Sequence, residues 1–117
     1  MKNRMEIAKN FAQSIKSKYI EQIILYGSVA RGEDNENSDI DILIITDNYE
    51  KIEDLIAEEV LNTIIKEDEY VSTNIMTKQR YEKTKNFSFL ENIRKEGVIL
   101  GWIIIIFQES STEIKFK

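Results

Sequence analysis

The chain has 117 residues and contains no cysteine, no histidine and no proline. Without cysteine there is no disulfide, no thiolate nucleophile and no zinc site built on sulfur. Without histidine the commonest general base at neutral pH is missing. Chemistry is therefore left to carboxylates, hydroxyls and any metal the carboxylates hold. No proline-rich linker, repeat or low-complexity tract divides the chain. Positive charge is short as well, with 16 Lys and Arg against 21 Asp and Glu and a formal net charge of −5. That balance argues against long DNA or RNA as a partner, because binding a phosphate backbone draws on clustered cations. Long apolar runs are also scarce. The longest, VILGWIIIIF at residues 98–107, is about half the roughly 20 residues a membrane-spanning helix requires. The N-terminus, MKNRMEIAKNFAQSIKSK, is charged throughout and has no signal-peptide core. The expectation is a cytoplasmic protein with no membrane span.

What is present fits one α/β (α+β) domain, with 42% apolar residues in a chain long enough for one core. Met5, Ala8, Phe11, Ala12 and Ile15 fall at helical spacing and predict a helix over 2–18. The run YIEQIILY predicts a strand over 19–26 that stops at Gly27. Val29, Ala30 and Arg31 read as a short helical turn, followed by a polar, acidic loop over 32–38. DIDILIIT alternates at first and then turns wholly apolar, as in a central strand over 39–46 with one end open at a site. Ile52, Leu55, Ile56, Val60 and Ile64 predict a helix over 49–66, with Asp47 or Asn48 as N-cap. YVSTNIM predicts a strand over 70–76, and Thr77 is placed to cap the helix after it. Phe87, Phe89, Leu90 and Ile93 suggest a last short helix closed by Gly97 as a C′ glycine. The domain is expected over 1–107, with 108–117 as a polar tail.

Residues 27–45 read GSVARGEDNENSDIDILII. A glycine at a strand end lets backbone approach a ligand closely, and N–H groups opening a helical turn make an anion nest, to which Ser28 adds a hydroxyl. Residues i and i+2 of a strand share a face with roots roughly 6.5–7 Å apart, so Asp39 and Asp41 can both reach one Mg²⁺. A carboxylate at the end of an otherwise apolar strand is costly without a partner, and a metal supplies one. For Arg31 two roles stay open, neutralising triphosphate charge or pairing with Glu33, Asp34 or Glu36. Tyr26 reads as packing and stays outside the site.

Through Gly27-Ser28, Ala30-Arg31-Gly32, Ser38 and Asp39-Ile40-Asp41, the chain resembles the minimal nucleotidyltransferases of the DNA polymerase β superfamily, from the first helix to about residue 100. The resemblance implies a mixed β-sheet flanked by helices and a triphosphate gripped by Gly27 and Ser28. It also implies Mg²⁺ on Asp39 and Asp41 activating the α-phosphorus of ATP. Small members of that family pair with HEPN-domain toxins, which implies AMP transfer to a toxin hydroxyl in an antitoxin role. A binding antitoxin that neutralises its partner by covering it is the rival expectation. Nucleotidylation of a small molecule is less favoured, because the short chain offers no second substrate lobe.

Active members carry a third carboxylate on the neighbouring strand. Here the matching strand offers Ser72 and Asn74, neither acidic, with Glu69 just upstream as the nearest acid. The uncharged run at 98–107 has high β-propensity and reads as a last buried strand or helix. As an alternative it is a surface for a homo- or hetero-oligomer.

Overall fold

A computed structural model describes residues 3–106 and 113–116, with side-chain surroundings for residues 3–100. The first helix, α1 (Arg4–Ile15), is capped by Asn3, whose side-chain oxygen accepts from the Glu6 N–H at 3.1 Å. Of its predicted stripe, Ala8, Phe11, Ala12 and Ile15 are buried and Met5 is half-buried, and Ile7, outside that stripe, is buried as well. Strand β1 (Gln22–Tyr26) runs into the short α2 (Gly27–Arg31), and β2 (Ile40–Ile45) follows the acidic loop. Then come α3 (Tyr49–Glu67), β3 (Val71–Met76), α4 (Lys78–Thr84), α5 (Ser88–Glu96), β4 (Val98–Ile106) and β5 (Glu113–Phe116). The strands form one mixed sheet in the order β3-β2-β1-β4-β5. Only β2 and β3 run parallel within it.

The period-2 geometry of β2 explains its sequence. Ile40, Ile42 and Ile44 pack on one face with α1 and with Ile52 and Ile56 of α3. Leu43 and Ile45 pack on the other face with Ile24 of β1 and with Leu90 and Ile93 of α5. A strand covered on both faces reads as a continuous apolar run. Asp41 belongs by alternation to the α5 face, one step beyond Leu43.

Several boundaries differ from expectation for local reasons. Before β1, Tyr19 and Ile20 form a turn in which their N–H groups donate to the Ser17 hydroxyl and carbonyl, at 2.9 and 3.2 Å, so the strand starts at Gln22. Asn48 holds the N-cap position of α3 without a side-chain cap bond. The Asp47 carboxylate instead accepts from the Lys78 N–H at 2.9 Å, at the start of α4, while Thr77 caps α4 as expected. Ile64, assigned to the buried stripe of α3, is exposed, and Thr63 is buried in its stead. Gly97 does close α5, but with an extended backbone (φ −71°, ψ 155°) and not a left-handed one. Its requirement is space, since a Cβ there would lie 2.5 Å from the Ile93 carbonyl oxygen and 2.7 Å from Ile24 Cγ2. The apolar run after it is a strand, β4, paired with β1 on one side and with β5 on the other. Residues 113–116, expected in a polar tail, are thus part of the sheet. Phe107 and the remainder of that tail lie outside the described residues.

Arg4 of α1 is 7% exposed and ties three segments together. Its Nε donates to Glu69 Oε1 at 2.7 Å, just before β3. Its Nη1 donates to Asp34 Oδ2 at 2.9 Å and to the Asn35 carbonyl at 2.6 Å, and Nη2 to the Glu36 carbonyl at 3.4 Å. A planar fork with fixed donors suits this work, and a lysine would not reproduce it. Replacing Arg4 by Met leaves the Glu69 carboxylate, 9% exposed, without its partner. The expected loss in urea unfolding is on the order of 3 kcal/mol, and the double variant Arg4→Met/Glu69→Met should recover most of it.

Candidate active site

The site forms where β1 ends. The β1–β2 register sets Tyr26 opposite Asp41, so the next residue, Gly27, turns beneath the Asp41 side chain. Gly27 has φ +78°, which favours glycine on backbone grounds alone. A Cβ at that position would also collide with Asp41 Oδ2 and lie 3.2 Å from Asp41 Cγ. Gly27 of the Gly-Ser pair and Asp41 of the Asp-X-Asp pair therefore meet. α2 opens at Gly27 with no side-chain cap from Tyr26, so its opening N–H groups have no such acceptor. It closes at Gly32 (φ +72°), whose N–H donates to the Val29 carbonyl at 3.1 Å, while the Glu33 N–H donates to the Ser28 carbonyl at 2.8 Å.

Asp39 is exposed at the loop end and Asp41 is half-buried at the start of β2. Partial burial holds the Asp41 carboxyl above the usual carboxylate range, and the negative charge of Asp39 raises it further, with Arg31 opposing both. In the parallel pairing Asp41 lies beside Ser72 and Leu43 beside Asn74. Asn74 lies near the Tyr26 phenol, and Glu69 is held by Arg4. Of the three residues weighed as a third donor, Ser72 is thus the immediate neighbour of Asp41. Among the described residues no group of three acidic, His or Cys side chains is placed to hold a metal. The donors would suit one divalent cation: two mutually repelling carboxylates with a neutral hydroxyl nearby. They do not match a three-carboxylate site for two ions.

Arg31 sits at the rim, 40% exposed, with Nε 3.0 Å from Glu33 Oε1 and Nη1 3.8 Å from Glu96 Oε2. The pairing expected with Glu33 is present, and Glu96 joins it from α5. Tyr26, read from sequence as packing, is both packed and adjacent to the motif: its ring meets Phe89 edge-to-face at 5.7 Å and 89°. Burial pushes its phenol up, the nearby Asn74 side chain opposes this, and the charge of Asp41 adds to the rise. Beside Gly27, a cavity of about 260 Å³ is walled by Tyr26, Arg31, Phe89, Asn92 and Glu96. Phe89, which spacing places in the apolar stripe of α5, and Asn92 both line this cavity. That stripe is Leu90 and Ile93, and Phe89 lies beside it. A larger cavity of about 520 Å³ between α1 and α3 contains none of the motif residues.

The elevated Asp41 pKa has a sign that can be measured. Its folded-state value exceeds the unfolded one, so the charged carboxylate costs stability above that pKa, and the cost vanishes as pH falls below it. In chelator, Asp41→Asn should raise the melting temperature at pH 7, with a gain that shrinks as pH drops into the carboxylate range. Added Mg²⁺ or Mn²⁺ should raise the melting temperature of the wild type and leave the variant unchanged.

The family model described as the nucleotidyltransferase domain matches residues 8–113. A provisionally named protein adenylyltransferase of Methanocaldococcus jannaschii, MJ0604, is 35% identical over 102 residues, 84% of this chain and 98% of that protein. A second one from the same organism, MJ0141, is 30% identical over 95 residues, 80% of this chain and 90% of its own length. Among solved structures, a provisionally assigned nucleotidyltransferase from Sulfolobus solfataricus superposes with a TM-score of 0.51 at 17% identity, covering 85% of this chain and 86% of that one. A toxin-antitoxin crystallised with AMP-PNP gives 0.51 at 18% identity, over 86% and 73%. At these identities the two structures show a shared fold. With the glycine turn set against the paired aspartates, and with relatives matched over nearly their whole length, the chain belongs to the nucleotidyltransferase domain family.

Proposed function

We propose that this protein is a Mg²⁺-dependent adenylyltransferase that moves AMP from ATP to a hydroxyl of a partner protein, a HEPN-type toxin, and thereby acts as its antitoxin. The observation that carries this reading is the contact between the Gly27 turn and the Asp41 carboxylate, which joins a phosphate cradle to a cation site. The names of the Methanocaldococcus relatives support protein as the acceptor, and the toxin-antitoxin fold neighbour supports the antitoxin role. In this reading Gly27 and Ser28 bind the β- and γ-phosphates, and Asp39 and Asp41 hold the metal. Mg²⁺ supplies Lewis-acid polarisation of the α-phosphoryl group and offsets phosphate charge. The partner's Ser, Thr or Tyr oxygen forms the new bond to the α-phosphorus, the bond from that phosphorus to the α,β-bridging oxygen breaks, and pyrophosphate leaves. The hydroxyl proton passes to water, since the chain has no histidine and residue 72 is serine. Absence of a positioned base lowers the rate by about 10²–10⁴, so transfer is expected to be slow.

That same serine beside Asp41 favours a second reading, a binding antitoxin with little turnover. The two readings separate in one experiment, incubation with ATP labelled at the α-phosphate, Mg²⁺ and a HEPN protein encoded beside this chain. Label should appear on the partner with wild type and be lost with Asp39→Ala/Asp41→Ala, together with neutralisation of the toxin. An unlabelled partner, still bound and still neutralised by the double variant, would establish the binding reading and reject transfer.

A further inference from the structure

Resting on the nucleotide reading above, we infer that the cavity between Tyr26 and α5 is a base subsite in which Phe89 stacks on adenine and Asn92 reads its edge. Gly27 lines this cavity together with Phe89 and Asn92 of α5, so a nucleotide whose phosphates are held at Gly27 has that wall within reach of its base. Phe89 is 51% exposed although it sits against the aromatic ring of Tyr26. In the edge-to-face geometry at 89° the two rings are perpendicular, which leaves ring surface open for a planar ligand. Tyr26 is itself half-buried at the end of β1. The wall is rigid: Leu90 and Ile93 are buried, and Gly97 packs its backbone against Ile24 and Leu25. Arg94 also ties the helix to the preceding turn, donating to the Lys85 carbonyl at 3.1 Å and to Asn86 Oδ1 at 3.0 Å.

Asn92 follows Phe89 by three residues, on the same side of α5. Asn92 lines the cavity, is exposed, and its side chain has no hydrogen-bond partner among the described residues. A carboxamide offers one acceptor and a donor pair, the complement of the adenine amino group and its adjacent ring nitrogen. The opposite rim is closed by the Arg31–Glu96 pair at 3.8 Å. A stacking ring and a free carboxamide sharing one cavity with Gly27 account for an aromatic side chain that is otherwise left half in solvent.

The test is calorimetric titration of the full chain in Mg²⁺ with ATP and, separately, with inorganic tripolyphosphate. Wild type should bind ATP at least ten-fold more tightly than tripolyphosphate. Phe89→Ala should weaken ATP by roughly ten- to a hundred-fold, the range for loss of one base–aromatic stack, and leave tripolyphosphate unchanged. Phe89→Leu keeps the apolar bulk and should lose ATP similarly, which covers a folding defect in the alanine variant. Asn92→Asp, which replaces the donor pair by an acceptor, should narrow the preference for ATP over GTP. Equal wild-type affinity for ATP and tripolyphosphate would overturn the subsite while leaving the phosphate reading intact. So would unchanged ATP binding in both Phe89 variants with weakened capture of a partner protein, which would mark Phe89 as a docking residue. Binding of neither ligand would remove the nucleotide reading and the subsite with it.

Discussion

The carboxylate of Asp41 occupies the space that a side chain at residue 27 would fill, and the rest of the site is arranged around that contact. The contact depends on the antiparallel register that sets Tyr26 against Asp41. A slip of one residue would turn Asp41 to the α1/α3 face and bury it among isoleucines. The burial of Ile40, Ile42 and Ile44 on that face fixes the register, so the core itself positions the chemistry. The same closeness half-buries Asp41 and leaves it near the like charge of Asp39, which is why its carboxyl holds its proton more tightly than usual. A cation held between the two aspartates would relieve both effects.

An acidic chain with a charge-rich loop between its two motif halves needs something to hold that loop in place. Arg4 does so from the first turn of α1, by bonding Asp34, two carbonyls of the loop and Glu69. The loop also closes on itself, with Asn35 and Ser38 exchanging two bonds, at 2.9 and 3.0 Å, directly before Asp39. Glu69 is the structural counter-charge of Arg4, so its carboxylate is already committed to that pairing. What remains beside Asp41 is a serine, which holds water or a cation weakly and accepts a proton poorly.

Much of this was legible in the residues. The helical stripe of α1, the shift of DIDILIIT from alternating to apolar, and the turn at Gly27 each carry a local signal strong enough to place an element. The convergence of Gly27 with Asp41 was legible only as a pairing of motifs, because the contact is set by strand register across 14 residues of chain. The long-range partners left no local trace: nothing near Arg4 or Glu69 marks a pair 65 residues apart. Gly97 shows a related limit, since a glycine that ends a helix for want of space looks the same as one that ends it by a left-handed turn. Phe89 was hidden by its neighbours, because a helical stripe read by spacing absorbs an aromatic residue that lies just off it. Residues 113–116 join the sheet through pairing with β4, where composition alone described a polar tail.

The central claim is that the glycine at 27 couples the phosphate cradle to the paired carboxylates. Its most direct measurement is calorimetric binding of a non-hydrolysable ATP analogue to wild type and to Gly27→Ala, in Mg²⁺ and in chelator, with circular dichroism confirming that both are folded. The account predicts that wild type binds only when Mg²⁺ is present and that the alanine variant, with its Cβ displacing Asp41, loses both the nucleotide and the metal response. Binding by Gly27→Ala with wild-type affinity and the same Mg²⁺ dependence would contradict it.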